Sequence, residues 1–274
     1  MQIKNLMSED IITIDKDQNI CDGLRLMEKH NISRLPVVNT NENHEKELVG
    51  IVAEKDIATK LGSSKYGNLA PSHFHISTLM IKDVITAEGN MEITDAAKLI
   101  LEKNIGALPV TSNGEVVGVI TKSDFIDLCK GKAYEKILVE DIMSSELISV
   151  SIQDRLVHAR RIILESNIGR LLITENNELA GILTSKDIAR ALISFRKYVP
   201  DNHKQAQIKN LLVEEVMSSN VKKIHSKSTI ADVAADMLET GYNGYPVIND
   251  KDQVVGIITQ SDLLGLIVDL ETEN

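Results

Sequence analysis

Cysteine is scarce in this chain: among its 274 residues only Cys21 and Cys129 are cysteines, and no Cys-x-x-Cys spacing occurs. Both lie in helical patterns, which predicts two free thiols, buried or half-buried, in a reducing compartment and excludes a disulfide framework or a zinc site built on cysteine. Long apolar runs are missing too, since none approaches the ~18 residues that a membrane span needs, and the first residues lack an apolar signal core. We therefore expect a soluble, cytoplasmic protein with no membrane partner.

An excess of positive charge is also missing. The chain has 30 lysines and arginines against 40 aspartates and glutamates, which gives a net charge of −10. Phosphate backbones bind to positively charged faces, so direct binding of DNA or RNA is not expected. The best local basic run, residues 194–198, is interpreted as a solvated helix end followed by a loop.

One motif is present four times: glycine, two aliphatic residues, threonine in three of the four copies, two variable residues and aspartate. It occupies residues 50–56, 118–124, 181–187 and 256–262. A repeat of this length indicates stacked copies of one structural element, because a single copy cannot bury its own apolar face. Function is then expected where copies meet.

The spacing of the repeat predicts how the copies pair. Each copy opens with an aliphatic residue and a methionine, at Met7, Met80, Met143 and Met217. These methionines are separated by 73, 63 and 74 residues, and this alternation predicts that copies 1 and 2 pair, as do copies 3 and 4. The predicted copies span residues 1–62, 76–130, 137–194 and 208–270, in two modules, 1–130 and 137–270.

Each copy is predicted to contain a strand, a helix, two strands joined as a hairpin, and a second helix. Copy 2 illustrates this pattern. Residues 83–87 predict a short strand, and apolar residues spaced i, i+3, i+4 from Ile93 predict a helix. Asn104 is expected to end that helix, because asparagine tolerates the left-handed backbone of a C-terminal cap. Residues 107–120 predict a hairpin, and Thr121 begins the second helix.

This element order, with the Gly-aliphatic-aliphatic-Thr-x-x-Asp ending, resembles the cystathionine β-synthase (CBS) domain, from about residue 3 to residue 267. The resemblance implies an α/β (α+β) fold of four tandem CBS repeats (β-α-β-β-α). They would form two Bateman modules packed through their helices as a flat disc, either a monomer or a homodimer. Family members commonly bind AMP, ADP, ATP, S-adenosylmethionine or related adenosyl ligands in clefts between paired copies. No catalytic arrangement can be assembled from the spacing, so a regulatory protein is implied rather than an enzyme.

The resemblance also assigns roles to the repeated motif. It implies ribose contacts from Asp124, Asp187 and Asp262, and ribose or phosphate contacts from Thr121, Thr184 and Thr259. A carboxylate can accept hydrogen bonds from both ribose hydroxyls, and a helix start favours phosphate. In copy 1 Asp56 remains but Ala53 replaces the threonine, so that site is expected to be empty or weak. Thr-x-x-Asp is equally a helix capping box, and the two roles can coexist.

Further candidate residues lie near the strands. Arg34 and Arg170 precede the second strands of copies 1 and 3; they fit either phosphate contacts or surface ion pairs. Small hydroxyl residues at the family's adenine slot would be Thr13, Thr86 and Ser149, although threonine is common in strands anyway. The chain has no tryptophan, so a base would lie between aliphatic side chains such as Val84, Ile105 or Val247.

Two functions remain open at this point. The first is a regulatory sensor with no required cofactor, in which an adenosine nucleotide or S-adenosylmethionine binds and an unidentified protein or complex reads the change. The second is a protein- or ribosome-docking factor whose nucleotide clefts are partly vestigial. In the first case the sites with Asp124 and Asp262 are expected to bind best, because each also has a threonine and a neighbouring serine.

Overall fold

A computed structural model describes residues 1–40, 46–62, 70–176, 178–198 and 208–272. Each copy contributes three strands. They are β1 (Ile14–Asp15), β2 (Arg34–Thr40) and β3 (Lys46–Ala53) in copy 1; β4 (Ala87–Glu88), β5 (Ala107–Ser112) and β6 (Glu115–Thr121) in copy 2; β7 (Ser149–Ser151), β8 (Arg170–Glu175) and β9 (Glu178–Thr184) in copy 3; and β10 (Ile224–His225), β11 (Gly244–Ile248) and β12 (Val254–Thr259) in copy 4.

The helices follow the predicted order. They are α1 (Ile20–Lys29), α2 (Glu54–Leu61), α3 (Ile93–Glu102), α4 (Lys122–Ile126), α5 (Val139–Ile142), α6 (Leu156–Glu165), α7 (Ser185–Tyr198), α8 (Ile230–Thr240) and α9 (Gln260–Thr272). The strand predicted over 83–87 is wrong in length, because only Ala87 and Glu88 lie beside β5. Helix α4 is short, and a 3₁₀ turn, Asp127–Lys130, continues it.

The first long helix of every copy ends at a residue with a left-handed backbone. These residues are Asn31, Asn104, Asn167 and Gly241, with φ between 47° and 70°. The prediction for Asn104 is therefore confirmed. Asparagine and glycine are the residues that adopt this conformation most readily. The reversal of the chain there leads directly into the second strand of the copy.

The three strands of each copy share one topology. The first strand pairs parallel to the second, as Ile14 with Val37, and the second pairs antiparallel to the third, as Arg34 with Ala53. A register shift recurs at the same point of all four hairpins, after Val37, Val110, Ile173 and Val247. The start of the second strand therefore lies opposite the end of the third in every copy.

The chain forms two compact units, each with its own core. Unit A comprises Met1–Ile11, Ile85–Leu147 and Lys222–Asn274, and unit B comprises Ile12–Val84 and Ile148–Val221. Unit A thus holds most of copies 2 and 4, whose helices α3 and α4 pack against α9. Unit B holds most of copies 1 and 3, joined by α2 and α7. Packing through helices is what their apolar faces predict.

The opening segments are exchanged between copies. In unit A, Ser8 from the start of the chain pairs with Val119 of copy 2 through two 3.0 Å backbone hydrogen bonds. In unit B, Ile81, which precedes copy 2, pairs with Ile51 of copy 1 in the same way, at 2.9 and 2.8 Å. Copies 3 and 4 repeat the exchange through Ser144 with Ile257 and Ser218 with Ile182. Each opening methionine therefore packs on the other copy of its predicted pair (copy 1 with copy 2, copy 3 with copy 4) and not on the copy that it precedes.

The exchange explains the glycine of the repeated motif. A Cβ atom added to Gly181 would lie 2.7 Å from Sδ of Met217 and 2.9 Å from the carbonyl oxygen of Ser218. The other three motif glycines, Gly50, Gly118 and Gly256, lie under Met80, Met7 and Met143 in the same manner. Glycine is needed because the opening segment approaches the backbone of the hairpin closely.

Gly181→Ala is expected to lower the free energy of unfolding by about 1–3 kcal/mol, since overpacking at a backbone carbonyl forces the chain to shift. Urea denaturation followed by circular dichroism measures this effect. Gly169→Ala is the matched control, because a Cβ there meets nothing within 4 Å. Equal unfolding midpoints for the two variants would show that the close approach carries no energetic weight.

The basic run at residues 194–198 is not a solvated helix end. Arg196 is only 2% exposed; its guanidinium donates to the carbonyl oxygen of Leu61 and lies 5.9 Å from the ring centre of Phe74. The prediction was wrong because α7 continues to Tyr198 and packs against α2. The loop predicted after it falls at 199–207, outside the described residues.

The two cysteines are free, with Cys129 buried and Cys21 half-buried, as predicted. Burial raises the pKa of the Cys129 thiol to about 12, so it behaves as an apolar core side chain. Within the described ranges, no helix has the length and apolar character that crossing a membrane requires.

Candidate functional site

The repeated motif lies at one edge of each three-stranded group. Its last strand residue is Ala53, Thr121, Thr184 or Thr259, and the aspartate follows in the first turn of the next helix. The second strand starts opposite this point: Arg34 pairs with Ala53 and Arg170 with Thr184. The structure thus brings both predicted arginines to the motifs of their own copies.

All four aspartates lie in the first turn of a helix and cap its N-terminus. In copy 2, Oδ2 of Asp124 accepts from the Thr121 N–H at 2.6 Å and from its hydroxyl at 2.8 Å. The two distances are 2.8 and 2.5 Å for Asp187 with Thr184, and 2.7 and 2.7 Å for Asp262 with Thr259. Asp56 caps without a hydroxyl, since its Oδ2 accepts only from the N–H of Ala53, at 2.8 Å.

These caps use one carboxylate oxygen and leave the other open. For Asp124 and Asp187, no donor among the described residues contacts Oδ1; for Asp262, the hydroxyl of Ser144 lies 3.4 Å from Oδ1. The threonine hydroxyls donate to Oδ2; that of Thr184 also accepts from the Asp187 N–H at 3.3 Å and that of Thr259 from the Ser261 N–H at 3.2 Å, so each of these two keeps one lone pair as an acceptor. Each carboxylate is half-buried and held in one orientation. Helix capping and ligand contact are therefore compatible in the same residue.

The electrostatics of the motif differ between copies. Burial raises the pKa of Asp124, and the two hydrogen bonds from Thr121 lower it in part. Burial also raises the pKa of Asp56, opposed by the N–H of Ala53 and the charge of Arg34. Arg34 is half-buried, and burial lowers the pKa of its guanidinium while the carboxylates of Glu54 and Asp56 raise it.

The small hydroxyl residues lie at the start of the first strand in copies 1, 2 and 3. Thr13 and Thr86 directly precede β1 and β4, and Ser149 begins β7. Thr13 is half-buried, whereas Thr86 and Ser149 are exposed. A shallow surface cavity near Thr86 is lined by Thr86, Ala87, Glu88, Asn90, Met91 and Thr111, and it does not include Asp124.

One aliphatic contact predicted for a bound base is wrong. Val247 is fully buried in the core of unit A and presents no surface to a ligand. Tyr245, Pro246 and Val247 are buried one after another, so both faces of β11 are covered at this point. Val84 and Ile105 are half-buried, so each keeps some surface on which an apolar ring could rest.

Sequence reasoning missed the first helix residue of the motif. In unit A, Lys122 donates to the hydroxyl of Ser261 at 2.6 Å, and Gln260 donates to the hydroxyl of Ser123 at 3.0 Å. The two copies therefore make reciprocal hydrogen bonds where α4 and α9 begin. The signal was available, because the two variable positions of the motif change charge from copy to copy.

Unit B carries different residues at these positions. Glu54 of copy 1 faces Lys186 of copy 3, with 3.9 Å between Oε1 and Nζ. Lys55 donates instead to the side-chain carbonyl of Asn167. The reciprocal pattern of unit A is thus incomplete in unit B. In the described part of the chain, no group of three His, Cys, Asp or Glu side chains is placed to hold a metal ion.

The CBS domain model matches four stretches of the chain, residues 3–63, 76–131, 139–194 and 213–269. The chain therefore belongs to the CBS domain family. The predicted α/β fold of four CBS repeats is confirmed.

Several known proteins are similar to this one. The uncharacterised protein MJ1225 of Methanocaldococcus jannaschii is 27% identical over 277 residues, 96% of this chain and 97% of that protein. Its crystal structure, for which homology to γ-AMPK has been proposed, aligns over 97% of this chain and 100% of its own with a TM-score of 0.85 and 26% identity. A CBS domain-containing protein of Dictyostelium discoideum is 32% identical over 133 residues, 46% of this chain and 89% of its own.

A conserved protein of Pyrococcus horikoshii aligns over 97% of this chain and 100% of its own. Its TM-score is 0.63 at 24% identity, a likeness that concerns the fold alone.

Proposed function

We propose that the chain is a regulatory sensor of adenosyl ligands, namely AMP, ADP, ATP or an S-adenosylmethionine-like molecule. The observation that carries this proposal is the motif edge found in copies 2, 3 and 4. There a half-buried aspartate has one oxygen fixed by the helix cap, beside a threonine hydroxyl; the other oxygen is open in copies 2 and 3 and is contacted by the Ser144 hydroxyl at 3.4 Å in copy 4. The likeness to MJ1225, whose homology to γ-AMPK has been proposed, supports a regulatory role.

The chemistry of the edge suits a ribose. The open Oδ1 of Asp124 or Asp187 accepts a hydrogen bond from a ribose hydroxyl, and a hydrogen bond to a charged acceptor is stronger than one between neutral groups. The cap already holds the carboxylate, so little side-chain freedom is lost on binding. N–H groups at the helix start and the guanidinium of Arg34 or Arg170 suit a 5′-phosphate.

Signalling requires that the ligand prefer one arrangement of the copies, since a ligand that binds two arrangements equally shifts neither. The motif helices of two copies contact each other in each unit, α2 with α7 in unit B and α4 with α9 in unit A. A ligand at one motif would therefore alter the contact with the second motif. A protein partner would read the resulting change in the angle between paired copies.

Calorimetric titration tests this function with AMP, ADP, ATP, S-adenosylmethionine and adenosine. At least one of these ligands is expected to bind at micromolar to low millimolar concentration. The 2′-deoxy form of AMP is the matched control ligand; it lacks one ribose hydroxyl and should bind about tenfold more weakly. If none binds at millimolar concentration, the sensor proposal fails and the docking function is favoured.

A further inference from the structure

Glu54 is a buried carboxylate that the sensor function leaves unexplained. It is the first residue of α2 in unit B and is 7% exposed, and its side chain is 10% exposed. Oε1 has no hydrogen-bond partner in the described ranges, and neither has the buried hydroxyl of Ser185 at the start of α7. A buried carboxylate oxygen without a hydrogen bond is costly, so its retention calls for a physical reason.

The charges that face Glu54 are mainly positive. Lys186 and Arg190 lie on α7 and Arg34 on β2, and Asp187 of α7 is a carboxylate that opposes them. Two further carboxylates lie against these cations: Glu28 is 2.5 Å from Arg190, and Asp56 acts on Arg34. The neighbours of Glu54 on α2 are Lys55 and Asp56. Burial raises the pKa of Glu54 to about 7, and the cations reduce this effect only in part. Glu54 therefore acts as an internal anion within a cationic cluster, defined here as Arg34, Lys186 and Arg190.

Unit A carries no anion at the two equivalent positions, both of which the structure describes. The residues equivalent to Glu54 in copies 2 and 4 are Lys122 and Gln260, and both donate hydrogen bonds to serines of the facing copy. In unit A the donors at the start of the two motif helices are thus bound by neutral serine hydroxyls. In unit B the same position places a titratable carboxylate two residues before Asp56, the motif aspartate of copy 1.

We propose that Glu54 determines the charge specificity of unit B. Its carboxylate occupies the cationic cluster, so an adenosyl ligand that carries a phosphate binds there only as Glu54 takes up a proton from solvent. An uncharged adenosyl ligand binds there without proton uptake. This inference rests on the proposed function and assigns the ligand charge that unit B selects.

The test compares the full-length protein with its Glu54→Gln variant, both carrying Asp124→Ala and Asp262→Ala so that binding reports on unit B. AMP and adenosine are titrated at pH 6 and pH 8. With a pKa of about 7, roughly one tenth of Glu54 is protonated at pH 8 and roughly nine tenths at pH 6. Glu54→Gln should therefore bind AMP about tenfold more tightly at pH 8 and almost equally at pH 6. Its affinity for adenosine should be unchanged at both.

Proton uptake is a second readout, obtained from binding enthalpies in buffers of different ionisation enthalpy. At pH 8 the protein that keeps Glu54 should take up about one proton more per AMP bound than Glu54→Gln. Protons that AMP itself releases or binds are the same for both proteins, so they cancel in this difference. Glu28→Gln is the control: its carboxylate also lies against the cationic cluster, 2.5 Å from Arg190, but on α1 and at the surface. Glu28→Gln should show the same pH dependence of AMP binding as the protein that keeps both Glu28 and Glu54.

Three outcomes decide the matter, once thermal melting shows that the variants are folded. The role of Glu54 would be overturned if AMP affinity depended equally on pH, and proton uptake per AMP were equal, in Glu54→Gln and in the protein that keeps Glu54. An equal gain in adenosine affinity would overturn it as well, because charge would not be the cause. If neither ligand binds to any variant nor to the protein without substitutions, it is the proposed function that fails.

Discussion

Asp124→Ala is expected to weaken AMP binding at its site by about 1.5–3 kcal/mol, roughly tenfold to a hundredfold, through loss of a charge-assisted hydrogen bond to ribose. Asp262→Ala should have a similar effect, because the hydroxyl of Thr259 completes the same arrangement. Asp56→Ala should matter least, since copy 1 offers no threonine hydroxyl. Calorimetric titration of each variant with AMP measures these differences.

Two controls separate lost ligand contact from lost folding. Asp127→Ala removes a nearby carboxylate that makes only an exposed ion pair with Lys130, and it should leave AMP affinity unchanged. Thermal melting of Asp124→Ala measures the loss of the helix cap, which costs about 1 kcal/mol. The ranking is refuted if Asp56→Ala abolishes binding while Asp124→Ala and Asp262→Ala bind normally.

The stability of the ligand-free protein is expected to fall as the pH rises from about 4.5 to 7, because of Glu54. Its pKa is raised from 4.5 to about 7 on folding, so over this interval the folded chain binds more protons than the unfolded chain. The free energy of unfolding then decreases with pH, by up to about 3 kcal/mol for a shift of this size. Above pH 7 the loss is complete.

Urea denaturation at several pH values between 5 and 8 measures this dependence. Glu54→Gln should be the more stable protein at pH 8, and the two should converge near pH 5. The burial-raised pKa values of Asp56 and Asp124 act in the same direction in both proteins, so the difference between them isolates Glu54. Parallel curves for the two proteins would show that the carboxylate is solvated in solution.

Much of the fold could be predicted because each copy repeats the same local signals. Asn104 ends its helix as expected, since its left-handed preference is a property of the residue itself. The strand expected at 83–87 was too long, because β-branched residues such as Val84 and Ile85 form a ladder only where a neighbouring strand lies alongside. Arg196 was misplaced for a similar reason: its burial depends on α2, which is distant in sequence.

The candidate site, like the fold, could be predicted only where its residues depend on the local sequence. The motif aspartates and threonines could be found from the sequence, because capping and position are local to the turn after the third strand. The role of Glu54 could not, since its surroundings come from Lys186, Arg190 and Arg34, which only folding brings near it. The burial of Val247 could not be predicted either, since the sequence does not show that three successive residues of β11 are covered by the core.

The exchanged opening segments have a consequence for biosynthesis. Until residue 81 has left the ribosome, the hairpin edge at Ile51 lacks the backbone partner that Ile81 provides, so copy 1 emerges with unpaired backbone groups. A nascent chain in this state is prone to wrong pairings, and it is completed only as the next copy emerges. Pauses in translation should therefore be tolerated better once residue 81 has emerged from the ribosome than before it has.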